Sequence, residues 1–280
     1  LTINAMAQAE DGQLVDPFDG HADLEHKTLR HVSEAFAEDP LRILRTARFA
    51  ARLHPLGFSI CPETMTLMRQ MIADGELEHL VPERVWQEIQ RVLHENAPTV
   101  FFEVLRELGA LAVLIPELED ATVFRAGVKA LECIHHQQGN TAQRFAALLS
   151  AVPEEQAIAR AKAMKSPNDC RDLSRLTCRF MAGLSRQPAD SISSEEILEL
   201  LDTADLWRRS ERFDALLDTL ACTLPEEQQS LLEQLHAAAG EATGVNPQDL
   251  LKQGFKGKEL GEAIRNERLA RITRVLNPSS

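Results

Sequence analysis

Helix start and stop signals recur along the whole chain, at intervals that leave room only for many short helices packed on one another. Asp39-Pro40, Pro62-Glu63 and Pro82-Glu83 each set a proline at a first helical position. Pro55 with Gly57, Gly109 and Pro116 each close a segment. Proline fits a helix only in its first turn and glycine favours the end, so this punctuation fixes boundaries. The pattern predicts helices over 39–53, from 62, over 82–95, 99–108 and 111–115. Further helices are expected at 123–137, 141–151, 154–164, 168–183, 195–203, 207–222, 226–239, 249–253 and 257–276, with a linker at 244–247. Thirty-nine leucines against thirteen valines and twelve isoleucines, with no tyrosine, favour helix over sheet. No tandem repeat of fixed period is present.

Residues 1–33 are the exception. An extended piece is expected at 13–16 after the turn at Asp11-Gly12, a loop at 16–20, and a second extended piece at 29–32. Leu1–Ala7 reads as the middle of an element, so the chain is expected to be a piece of something longer. No apolar run is long enough for a membrane span, and no secretory leader is expected. Five widely spaced cysteines without a CxxC pair predict neither a zinc site nor a disulfide framework, and a reducing, cytoplasmic setting.

The net charge of −13 is unevenly spread. Residues 1–120 hold 21 acidic and 10 basic side chains, whereas residues 251–280 hold 3 and 7. A basic end on an acidic chain is either a grip for phosphates or a solvated helix face.

The segment 39–53 carries the most chemistry. At about 100° per residue, Arg42, Arg45, Arg48 and Arg52 fall on one stripe, and Ile43, Leu44, Ala47, Ala50 and Ala51 on the opposite one. Four like charges in a row require compensation. Either a polyphosphate supplies it, which suits the planar guanidinium fork, or nearby acids such as Glu34 and Glu38 do. Asp39 and Arg42, three residues apart, share the first turn. An acceptor beside a donor can read the edge of a nucleobase. The alternative is a capping carboxylate paired with its neighbour.

These residues also carry a resemblance. Leu1-Thr2-Ile3-Asn4-Ala5-Met6-Ala7 resembles the end of a motif, Arg-Arg-Asp-x-x-x-Asn-Ala, of bacterial tRNA nucleotidyltransferases and poly(A) polymerases. Asp16-Pro17-Phe18-Asp19-Gly20, Asp23-Leu24 and Leu29-Arg30 are similar to their next motif. Glu38-Asp39-Pro40-Leu41-Arg42 through Ala51 is similar to their nucleotide-reading Glu-Asp-x-x-Arg motif. Val81-Pro82-Glu83-Arg84-Val85-Trp86-Gln87-Glu88 resembles the last shared one. All stand in the family's order within residues 1–120. The lead His31–Ala37 and the near-terminal Gly254-Phe255-Lys256-Gly257 resemble the CCA-adding branch.

The resemblance implies a mostly α fold. The remnant of a small α/β nucleotidyltransferase head (1–33) is followed by a nucleotide-reading helical neck (34–120), a helical body (121–245) and a basic helical tail (246–280). It implies addition of CCA to tRNA 3′ ends from CTP and ATP without a nucleic-acid template. Asp39 and Arg42 pair with the incoming base, and Glu38 holds that pair. Arg45 and Arg48 contact ribose and triphosphate, and Asn4 shapes the pocket. The loop after Gly20 is a hinge. Arg84 and Glu88, four apart, brace the reading helix or form a helix ion pair. The family's Mg²⁺ is held by two carboxylates in a preceding sheet, and neither Asp16 nor Asp19 takes that place. No catalytic or metal-binding residue is therefore expected in this chain, which reads as a truncated form inactive alone.

In the body, Leu149-Ser150-Ala151 stands where many relatives have a His-Asp doublet. Adjacent His135-His136 cannot easily set both rings on one metal, so a hydrolase is not expected. Two other readings remain: a poly(A) polymerase of the same superfamily, or a non-catalytic helical RNA-binding module.

Overall fold

The computed structural model describes residues 1–185 and 192–277. The last three residues assigned to the basic tail, 278–280, lie outside them. The start of the chain holds a short antiparallel pair, β1 (Ala7–Gln8) with β2 (Leu14–Val15), in which Ala7 faces Val15. Where a loop and hinge after Gly20 are expected, a one-turn helix stands instead, α1 (Gly20–Glu25). Its cause is Asp16, whose two carboxylate oxygens accept the backbone N–H groups of Gly20 and His21 at 2.8 Å. Orphan first-turn donors are thus satisfied and the helix is nucleated. Those same bonds, His21 first, hold the Asp16 carboxyl below the ordinary carboxylate range. The second extended piece is β3 (Thr28–Leu29). It pairs in parallel with β4 (Ser59–Ile60), a strand contributed from beyond the next helix.

That helix is α2 (Leu41–Leu53). It is followed by α3 (Pro62–Ala73), α4 (Pro82–Val92), α5 (Pro98–Leu108) and α6 (Leu111–Leu114). The proline signals hold in detail, since α3, α4 and α5 each carry Pro in the first turn. Then come α7 (Ala121–His136), α8 (Thr141–Leu148), α9 (Glu154–Ala163) and α10 (Asn168–Leu184). The series closes with α11 (Ser194–Thr203), α12 (Ser210–Thr223), α13 (Gln229–Thr243), α14 (Pro247–Lys252) and α15 (Gly257–Leu276). Asp120 caps α7, and capping boxes open α8 (Asn140 with Gln143) and α11 (Ser193 with Glu196).

One apolar core runs from Phe36 to Ile272. A smaller cluster of Leu29, Ala50 and Phe58, joined by Leu1 and Ile3, fastens the start of the chain to the back of α2. Trp86 of α4 meets Phe145 of α8 edge-on, ring centroids 5.1 Å apart, and so joins the first helices to the later ones. The basic tail is docked. The guanidinium of Arg268 on α15 stacks 3.4 Å from the Trp207 ring, Arg265 pairs with Asp202, and Ile272 is buried.

The cysteine reading is corrected. Cys133 on α7 and Cys222 on α12 form a disulfide across 89 residues of sequence, with Cα atoms 5.5 Å apart. Only the packing of α7 on α12 brings them together, and spacing along the chain carries no trace of it. Cys61, Cys170 and Cys178 are free and buried.

Candidate nucleotide-reading site

Helix α2 separates its two faces as its periodicity requires. Leu41, Ile43, Leu44, Ala47, Ala50 and Ala51 are buried, and the arginines lie on the other side. That side faces α4. Along α4 and its C-terminal turn, Arg84, Glu88, Arg91 and Glu95 form a second charged stripe, and the two stripes meet in order.

Glu88 is the hub. Its side chain is 2% exposed. Oε2 accepts from Arg48 Nε at 2.8 Å, and Oε1 accepts from Arg91 Nη1 at 3.2 Å and lies 3.6 Å from Arg45 Nε. Arg48 is largely buried and spends its fork on two carboxylates, with Nη1 donating to Glu95 at 3.0 Å. Burial opposes the Arg48 charge, but the bonds to Glu88 and Glu95 outweigh it and raise its pKa. Arg45, by contrast, is 49% exposed, and its one ion pair among the described residues is the long contact to Glu88. Arg52 is exposed with no ion pair among the described residues.

At the start of α2, Asp39 and Arg42 do not pair with each other. Asp39 Oδ1 accepts the Leu41 N–H at 3.1 Å, and Oδ2 accepts from Arg84 Nη2 at 3.0 Å. Partial burial works against the Asp39 charge, yet the Leu41 N–H and the Arg84 guanidinium hold its carboxyl below the usual range. Arg42 donates through Nη1 to the Ala35 carbonyl. Arg84 and Glu88 therefore form no ion pair with each other, and each reaches across to α2 or its lead. Glu38 is exposed and makes no side-chain bond among the described residues. Asn4 is exposed at the end of a 3-10 turn, Thr2–Asn4, which is tied in by the Thr2 N–H to Arg30 carbonyl bond at 2.9 Å. Thr2 Oγ1 and Arg30 Nε both donate to Asp23, at 2.8 and 3.2 Å.

The structure sets Arg42, Arg45 and Arg48 on the side of α2 away from its buried residues, with Asp39 just before the helix. Reading the sequence missed Glu95, Arg91 and the Ala35 carbonyl. A signal for the first two exists: Glu88, Arg91 and Glu95 recur at i, i+3 and i+7, a stripe complementary to the arginines of α2. The bond from Ala35 depends on a 3-10 turn, Glu34–Glu38, that no pattern announces.

Among the described residues no group of three or more His, Cys, Asp or Glu side chains could hold a metal ion. Asp16 is committed to the N-terminus of α1. In the body, Ser150 is buried at the position of the missing doublet. His135 is not a free ligand, since its Nδ1 faces Arg144 Nη1 at 2.7 Å. Among the described residues no helix is long and apolar enough to cross a membrane.

Residues 57–122, which include α3 to α6, match the family described as "Probable RNA and SrmB-binding site of polymerase A". A CCA-adding enzyme of Marinobacter nauticus is 67% identical over 278 residues, which cover 99% of this chain and 74% of that protein. A multifunctional CCA protein of Pseudomonas putida is 43% identical, with 96% of this chain and 73% of that protein covered. Among solved structures, the Thermotoga maritima CCA-adding enzyme complexed with tRNA superposes with a TM-score of 0.73 at 18% identity, covering 99% of this chain and 70% of that one. At that identity the likeness speaks for the fold.

Proposed function

Because this chain belongs to the bacterial CCA-adding enzyme family, we propose that the start of α2 reads the base of CTP or ATP for template-free addition to the tRNA 3′ end. The observation that carries the reading is the separate anchoring of Asp39 and Arg42. It leaves a carboxylate acceptor and a guanidinium donor near each other without a bond between them, and each keeps capacity beyond its own anchor. Cytosine offers N4–H₂ next to N3, and adenine offers N6–H₂ next to N1. Each is a donor beside an acceptor, the complement of this pair. Uracil and guanine put N–H donors where Arg42 would donate, and carbonyls where Asp39 would accept. A mismatch leaves buried polar groups unpaired, which makes the discrimination strong.

Arg45, exposed and loosely held, is the proposed contact to ribose and triphosphate. Arg48 has Nε and Nη1 already on carboxylates, so its proposed part is to hold α2 on α4 and to add positive potential. Asn4 and Glu38 are assigned to the pocket margin by resemblance to the family motifs. The proposed partition is head remnant 1–33, neck 34–120, body 121–245 and tail 246–280, with the body and tail contacting tRNA and performing no hydrolysis. Transfer of this kind uses Mg²⁺ clamped by carboxylates. The described residues do not fit that ion. On this reading its ligands belong to the part of such proteins that residues 1–280 do not span. A cytoplasmic location follows from the proposed tRNA substrate, although a disulfide is uncommon in that compartment.

The test is calorimetric binding of CTP, ATP, UTP and GTP to the chain, its Asp39→Ala and Arg42→Ala variants, and a longer form extended N-terminally. Preference for CTP and ATP, lost at least about tenfold (~1.4 kcal/mol) in either variant, supports the reading. Equal affinity in wild type and variants overturns it. A second reading, RNA binding without nucleotide recognition, is favoured by the match over residues 57–122. It predicts steeply salt-dependent tRNA binding with no response to nucleotide.

A further inference from the structure

Asp39 lies in extended backbone two residues before α2 and Arg42 on the first turn of that helix, and opposite charges so near in sequence attract each other. For Asp39 and Arg42 that contact would be self-defeating. A closed Asp39–Arg42 pair would use up the acceptor and the donor meant for a base, and a nucleotide would have to break it before being read. In this molecule the pair is open, and the arrangement that keeps it open is specific. Asp39 Oδ2 is taken by Arg84 Nη2 at 3.0 Å, and Oδ1 by the Leu41 N–H. Arg42 is drawn off to the Ala35 carbonyl. Glu38, the neighbour expected to steady the pair, makes no side-chain bond to either residue among the described residues.

We propose, building on the base-reading assignment above, that Arg84 is a positioning residue that keeps Asp39 and Arg42 from pairing with each other and so leaves both free for the base. Several features suit Arg84 to this part. It stands on a helix anchored in the core, because α4 buries Val85, Trp86, Glu88 and Ile89. Its own side chain is about half exposed, so it is not needed to fill the core. One guanidinium N–H on Oδ2 leaves other lone pairs of the carboxylate for a base amino group. The contact to Ala35 uses one of the five N–H donors of Arg42, which leaves the rest of the fork available. A lysine could supply the charge but not the fixed planar direction. The competing view is an ordinary surface ion pair, worth about 0–1 kcal/mol and without consequence for nucleotides.

The experiment uses Arg84→Gln and Arg84→Lys in the 280-residue chain, with Arg69→Gln as control. Arg69 pairs with Glu107 on the surface and makes no ion pair with the site residues among the described residues. Two readouts separate the inference from the reading beneath it. The first is a crystal structure of Arg84→Gln without nucleotide. The expected result is that Arg42 turns from the Ala35 carbonyl and binds Asp39 within hydrogen-bond distance. If Arg42 stays in place, the proposal is overturned. The second is calorimetric affinity for CTP and ATP against UTP. The expected result is at least a tenfold loss of CTP affinity and a smaller CTP-to-UTP ratio in Arg84→Gln, partial recovery in Arg84→Lys, and no change in Arg69→Gln. Unchanged affinity and ratio in Arg84→Gln overturn the proposal even where Arg42 moves. If neither the wild type nor its N-terminally extended form binds nucleotide, the base-reading assignment is what fails, and the crystal structure still decides whether Arg84 separates the two charges.

Discussion

Glu88 brings one negative charge, almost wholly out of water, against Arg45, Arg48 and Arg91. A buried carboxylate is tolerable only while such partners stay, and its partners depend on it equally. Glu88→Ala strands Arg48 in a poorly hydrated place with one remaining acid, Glu95. The expected cost is about 3–5 kcal/mol, read as a fall in the urea midpoint. A second residue-scale expectation concerns acid. Arg144 is buried without a carboxylate. It donates to the carbonyls of Leu93 and Gly139 and faces His135 Nδ1. Burial, then Arg144, then His136 push the His135 pKa down, and burial and Arg144 do the same to His94. Both histidines therefore take up protons less readily when folded than when unfolded. Stability is complete above the ordinary imidazole value of about 6.5 and declines as the pH drops from there toward the lowered folded values. Thermal unfolding at about pH 8 and about pH 5.5 checks this. His135→Gln, which keeps an acceptor for Arg144, should flatten the dependence.

At the scale of elements, helix contacts are set by what stands between backbones. On α7, Gly127 lets the chain of α8 approach so closely that an added Cβ would lie 2.3 Å from the Leu148 carbonyl oxygen. Gly127→Ala must push α7 and α8 apart, with an expected loss of about 1–3 kcal/mol. Gly240 on α13 has nothing within 4 Å of the same position. Gly240→Ala should instead stabilise by about 0.5–1 kcal/mol through helix propensity. Opposite signs in one calorimetric series would separate packing from propensity. If both substitutions destabilise equally, the contact between α7 and α8 is not what Gly127 serves.

For the whole molecule, the Cys133–Cys222 bond closes a covalent loop with a sequence separation of 89 residues. A loop of this size restricts the unfolded chain by about 4–5 kcal/mol in the chain-entropy account. Dithiothreitol should lower the melting temperature, and Cys222→Ser should lower it to the same value with no further response to reductant. Cys170 and Cys178 do not confuse the measurement, since burial pushes both thiols up to about 12 and leaves them unreactive. The same bond ties α7 to α12 across the body, and the stack of Arg268 on Trp207 then fastens the tail.

Much of this organisation was legible in the residues. Proline and glycine punctuation located nearly every helix, and α15 was placed residue for residue. The 3.6-residue period of α2 foretold both its buried face and its arginine stripe, because these are properties of one helix and its solvent. What escaped was whatever depends on two segments meeting. Strand β4 exists only as the partner of β3, and the disulfide exists only because α7 packs on α12. Helix α1 replaced a loop because Asp16 could reach back to cap it. Spacing leaves Arg84 and Glu88 either bracing the reading helix or paired with each other, and tertiary packing gives Arg84 to Asp39 and Arg48 to Glu88 and Glu95. Local spacing determines which side chains share a face. Which opposite charge each one reaches is decided by the face packed against it, because a charge leaving water takes the nearest partner the fold supplies.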